Sequence, residues 1–111
     1  MSDVTLLYCT APDRATAAAI ARTLVEEHLV ACANILDGVL SLYRWEGRLA
    51  EEPEAVMIVK TQSVRAGEVT ERIRALHPYQ CPCVVALPVT GGNPDFLSWI
   101  ADETAMGREG G

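Results

Sequence analysis

Residues Leu29–Thr61, LVACANILDGVLSLYRWEGRLAEEPEAVMIVKT, decide the fold. Two apolar runs flank the polar segment EGRLAEEPE. The first carries Val39, Leu40, Leu42, Tyr43 and Trp45, the second Val56, Met57, Ile58 and Val59. β-Branched, aromatic and other apolar residues in such runs read as strands. They predict one long bent hairpin, with Gly47 at or near its tip and Pro53 where a ladder bond can be missing. Asp37-Gly38 marks a turn or bulge before the first arm. No catalytic motif lies inside the stretch, so function is expected in sites built around it.

Outward from the hairpin, the chain supplies cover and flanks. Val4–Cys9, VTLLYC, reads as a strand with both faces covered. A helix follows through TAPDRATAAAIARTLVEEHL. Thr10 is the expected cap, Pro12 suits the first turn, and Asp13 sits as the capping-box acid. Ala17, Ile20, Ala21 and Leu24 form its buried stripe. Arg14, Arg22, Glu26 and Glu27 are expected to face water, with His28 also at the surface. Ser63 is placed to cap a second helix to about Leu76, with Ala66, Val69, Ile73 and Leu76 on its apolar side. Glu68 and Arg72 form an expected i,i+4 pair. Pro78 ends this helix at about His77. A short strand, Val84–Leu87, lies between Pro82 and Pro88. Asn93-Pro94 opens a short third helix with Phe96, Leu97 and Ile100 on one face. Gly107–Gly111 reads as a frayed tail.

The order β-α-β-β-α-β predicts an α+β, ferredoxin-like split βαβ fold with a short C-terminal helix. It forms one domain over residues 1–111, ordered over about 3–106. The hairpin is too long for strands of four to six residues beside it. Its edges need a neighbour's sheet, and the uncovered sheet face needs a neighbour's surface.

Composition narrows the function. Half of the 111 residues are hydrophobic and 22% are charged, so some apolar surface is expected to enter a subunit interface. The net charge is -6, and Lys60 is the one lysine among nine bases. No basic stripe supports nucleic-acid binding. No run is long enough to span a membrane, and no signal-peptide pattern opens the chain. Cytoplasmic residence with reduced thiols follows as the expectation. No phosphate loop, dinucleotide fingerprint or nucleophile elbow occurs. A Cys9/His77 nucleophile–base pair is chemically possible, but nothing in the sequence orients the histidine, and the chain is expected not to be an enzyme.

The candidate site residues fall in two groups. Cys9, at a strand end before a helix, is either an activated thiol able to hold a soft metal or an inert core cysteine. His77, at the end of the second helix, can bind terminal carbonyls or serve as a ligand. Cys32 and Cys83 read as buried small hydrophobes. Cys81-Pro82-Cys83 puts two thiols on one face of an extended segment. Trp45, Glu54, Lys60 and Tyr79 form the second group, flanking the hairpin. They read as an interface in which Lys60 pairs with an acid such as Glu54, or as an intersubunit pocket for a small anion or metabolite.

Taken together, CTAPD (Cys9–Asp13), LVACANI (Leu29–Ile35), YRWEG (Tyr43–Gly47), MIVKT (Met57–Thr61), HPYQCP (His77–Pro82) and FLSWI (Phe96–Ile100) resemble the CutA divalent-cation tolerance family. The likeness runs from about Val4 to Ala101. It implies a cytoplasmic homotrimer of ferredoxin-like subunits, PII-like in architecture, that binds copper or a similar divalent cation such as zinc without an organic cofactor. It also implies Cys9 and His77 as copper ligands. Leu76 stands where the family's best-known bacterial member has a further histidine ligand, so this chain carries two of the three. Two soft donors can still hold Cu(I), and a third from another subunit or an acid would complete a Cu(II) or zinc site. A PII-like module for a small metabolite and a stable hub for an unidentified protein partner are the other functions this architecture allows.

Overall fold

In the computed structural model, which describes residues 3–105, the hairpin forms as the sequence predicts. Its arms are β2 (Cys32–Trp45) and β3 (Arg48–Gln62). Glu46 and Gly47 make the two-residue tip with φ of 51° and 78°. Positive φ at both positions gives the turn twist that matches paired strands. Pro53 pairs with Leu40 in the outer part of the hairpin, beyond the last contact with β1 at Ala55. There β3 has one neighbour, the edge setting in which a strand tolerates proline.

Asp37-Gly38 is a bulge. Leu36 pairs with Val56 but Val39 pairs with Glu54, so β2 spends one more residue than β3 over that interval. Gly38 takes φ +71°. The extra residue reverses the alternation of β2. Before it, Cys32, Asn34 and Leu36 share a sheet face; beyond it, Val39, Ser41, Tyr43 and Trp45 continue that face.

The sheet is antiparallel in the order β2-β3-β1-β4, with β1 at Val4–Ala11 and β4 at Val84–Pro88. Strand β1 runs two residues past the expected Cys9. Thr10 is therefore a ladder residue, and the cap of α1 (Arg14–Glu26) is Asp13, whose carboxylate accepts the Thr16 N–H at 2.7 Å. The second helix begins with a 3-10 turn over Ser63–Arg65 and continues as α2 (Ala66–Leu76). Ser63 does not cap it; its hydroxyl bonds that of Thr5 at 2.7 Å. Asn93 caps α3 (Pro94–Glu103) as expected, taking the Asp95 N–H at 3.1 Å.

One sheet face packs on α1 and α2. Ala17, Ile20, Ala21 and Leu24 of α1, with Val69 and Ile73 of α2, meet Leu7, Cys9, Ala55, Met57 and Val59. Each fully buried Leu, Ile or Val contributes about 1.5–3 kcal/mol. The expected Glu68–Arg72 pair does not form. Arg72 reaches across to Glu27 at the end of α1, 2.7 Å away, and Glu68 turns to Arg65. The bidentate Arg72–Glu27 contact joins two helices, and in forming it Arg72 leaves its i-4 neighbour. Arg65 is 1% exposed and donates to the carbonyls of His28 and Thr104, tying α3 to the body. His28 is half-buried rather than at the surface, its Nδ1 3.1 Å from the Glu103 carbonyl oxygen.

The other sheet face is largely open. A second, small cluster of Val4, Ala31 and Ile100 seats α3 at one end of it. Leu36, Val85 and Leu87 stay about half exposed on the rest. Beyond the sheet, the hairpin carries Leu40, Leu42 and Leu49 into solvent at 58–66% exposure. Among the described residues no helix is long and apolar enough to cross a membrane. The expected order at residue 106 and the tail from Gly107 lie outside the described residues.

Candidate functional site

The bulge brings the hairpin face carrying Ser41, Tyr43 and Trp45 toward Tyr8 and Thr10 of β1. The connection from α2 to β4 closes the other side with Tyr79, Cys81 and Cys83. Between them lies a cleft of about 600 Å³ with Glu54 on its wall. Thus Trp45, Glu54 and Tyr79 come together as the sequence suggests.

Lys60 does not join them. It sits six residues along β3 from Glu54, about 20 Å at the rise of a strand. Its ammonium donates to the side-chain oxygen of Asn34 and lies 3.7 Å from the Cys32 sulfur. The expected Lys60–Glu54 pair is replaced by Tyr79 O–H donating to Glu54 Oε2 at 2.9 Å. The cleft lining contains no Lys, Arg or His. Glu54 is 8% exposed, and its second oxygen has no hydrogen-bond partner among the described residues. Burial, then the bond and charge of Glu54, push the Tyr79 hydroxyl up to about 12; Tyr43 and Glu52 add to this.

Behind the cleft, His77 terminates α2. Its Nδ1 accepts the Tyr79 backbone N–H at 3.1 Å. That nitrogen therefore carries no proton, and Nε2–H donates to the Thr10 carbonyl at 2.7 Å. The imidazole is buried and fully engaged, with the Tyr79 ring 4.8 Å away. A relay of four groups results: the Thr10 carbonyl, His77, Tyr79 and the Glu54 carboxylate.

Cys9 lies next to Thr10 but on the opposite face of β1, inside the helix-covered core at 1% exposure. Burial pushes its thiol up to about 12, with a further rise from Cys83. A helix N-terminus does not activate it, because β1 continues through Ala11 and α1 begins at Arg14. The expectation of buried Cys32 and Cys83 is corrected: Cys32, at the start of the edge strand β2, is half-buried, and Cys83, in the connection just before the edge strand β4, is exposed. Cys81 and Cys83 do share a face, and both line the cleft. Among the described residues, no three or more His, Cys, Asp or Glu side chains are grouped to hold a metal ion. Tyr8, Thr10 and Ser41 were not legible as site residues, although alternation along β1 pairs Tyr8 with Thr10 on one face.

Fold and cleft define a small α+β protein with a ligand-sized cavity on the open side of an antiparallel sheet. Residues 5–103 match the model of the CutA1 divalent ion tolerance protein family, and the chain belongs to that family. It is 43% identical over 104 residues to the divalent-cation tolerance protein CutA of Thermus thermophilus, an alignment covering 94% of this chain and 99% of that one. The crystal structure of CutA from Xylella fastidiosa superposes with a TM-score of 0.90 at 41% identity, covering 93% and 99% of the two chains. A protein of Archaeoglobus fulgidus described as a periplasmic divalent cation tolerance protein superposes with a TM-score of 0.88 at 39% identity, over 91% and 98%.

Proposed function

We propose that this chain is a non-enzymatic, cytoplasmic homotrimer that binds copper or similar metal ions, with Cys9 and His77 as donors. One observation carries the metal reading. The His77 ring bonds the carbonyl of Thr10, the residue after Cys9, so this helix end and this strand end, 67 positions apart in sequence, meet within a single subunit. Capture requires the Tyr79 N–H to leave His77 Nδ1, which frees a lone pair, and Cys9 to lose its proton. Thiolate and imidazole together favour Cu(I) or Zn over hard cations.

Assembly is supported by the hairpin overhang and by the exposed edge of β4. The strand order suits a ferredoxin-like subunit in a PII-like trimer, in which one copy's hairpin extends the next copy's sheet. Four free cysteines, two of them exposed, suit a reducing compartment. A small-anion ligand finds no basic partner in the cleft lining.

An anaerobic Cu(I) titration against a competing chelator tests the assignment. Cys9→Ser and His77→Ala should each bind about tenfold or more weakly than the parent chain. Unchanged affinity in both variants would overturn it.

A further inference from the structure

We infer that the Glu54 carboxylate of each copy pairs with the Lys60 ammonium of the next, so that three such contacts close the ring. The inference rests on the homotrimer proposed above and names one contact within it. Both charges lie on one sheet face. Ala55, Met57 and Val59 of β3 enter the helix-covered core, so Glu54, Val56, Ile58 and Lys60 lie on the other face. About 20 Å of strand separates the two charges, so they do not meet within one copy.

Each charge is incomplete in a single copy. Glu54 is 8% exposed; Tyr79 holds one of its oxygens at 2.9 Å, and the other has no partner among the described residues. No base lines the surrounding cleft. Lys60 is half-buried, and among the described residues its ammonium meets only the neutral side chains of Asn34 and Cys32. Tyr8 and Thr10 of β1, with Val56 and Ile58 of β3, lie between the two. A neighbour that covers this face withdraws both charges from water. That is costly for either charge alone and is offset when the two are brought together.

The direction of the contact follows from the hairpin. It leaves the sheet at the Glu54 end, where β1 stops opposite Ala55. A closed ring of three uses head-to-tail contacts, in which one patch meets a different patch of the next copy. The end from which the hairpin projects therefore meets the far end of the next face, and Lys60 is the base at that far end. Arg44 and Arg48, the bases of the hairpin, are exposed near its tip, where water already solvates them.

Subunit exchange tests the pair. Ordinary and heavy-isotope-labelled assemblies of the full chain are mixed, and native mass spectrometry follows the mixed species. Glu54→Gln and Lys60→Met should each speed exchange about tenfold or more, and the double variant should exchange no faster than the faster single one. Arg48→Ala should show no such coupling with Glu54→Gln. Single variants that exchange like the parent, a double variant accelerated by the product of the two single effects, or coupling of Glu54 to Arg48 instead would overturn the pair and leave the trimer. A parent chain that exists as a single subunit would overturn both. If a single variant fails to fold, carbodiimide coupling of the parent chain decides. Lys60 is the one lysine, so an amide joining it to Glu54 in the digest would establish the contact. Lys60 joined to another carboxylate, or left uncoupled, would reject it.

Discussion

Cys9 shows how a few ångströms of strand change a residue's chemistry. Placed before a helix it would be an activated thiol; two further strand residues put it in the core. Its thiol, pushed up to about 12 from an ordinary 9.0, should resist iodoacetamide at pH 8 in the native protein. Cys81 and Cys83, both exposed, should alkylate under the same conditions, and mass spectrometry of the digest would read all three. Labelling of Cys9 as fast as Cys81 would contradict its burial. The sign of the linked stability follows. The folded thiol holds its proton more tightly than the unfolded one, so its contribution is complete below about pH 9 and lost as pH rises toward 12. His77 was legible as a special residue because Pro78 ends the helix there. Its partner, the Thr10 carbonyl 67 residues earlier, was not, since a histidine's acceptor has no sequence signature.

At the scale of elements, the bulge at Asp37-Gly38 positions the cleft. Without the extra residue, alternation would turn Tyr43 and Trp45 to the helix side of the sheet and bring Leu40 to the cleft side. Deleting Gly38 should therefore shift the outer register of β2. Tryptophan emission, dominated by Trp45 and Trp99, should report the new setting in a variant that also carries Trp99→Phe. An unchanged spectrum and unchanged cleft contacts by NMR would show that the hairpin absorbs the deletion elsewhere. The Asp-Gly pair was readable as a turn or bulge. Its effect on which side chains face Glu54 was not, because that depends on pairing with β3, a long-range choice.

The whole molecule leaves apolar surface that a single copy does not cover. Leu40, Leu42 and Leu49 lie on the same face of the hairpin, beyond the reach of α1 and α2. Such a patch on a long two-stranded extension is expected to meet another chain. Sedimentation should find a particle near 36 kDa, three times the 12.0 kDa subunit. Leu40→Glu with Leu42→Glu should shift it toward the single subunit, with loss of thermal stability by several degrees or more. A parent chain that sediments as a stable single subunit at micromolar concentration would remove the trimer from the proposal.

The order of elements, the hairpin with its Gly47 tip, the helical stripes and the family were determined by the sequence alone. They depend on local periods of two and 3.6, on turn chemistry and on short motifs, all carried by neighbouring residues. Tertiary structure alone decided that Asp13 rather than Thr10 caps α1, that Arg72 chooses Glu27 over Glu68, that Lys60 leaves Glu54 to Tyr79, and that Cys9 rather than Cys83 is buried. Each of these is a competition among partners distant in sequence, settled by strand register and by which sheet face the helices cover. Local periodicity gives a residue its face, but the partner waiting on that face is supplied by another part of the chain.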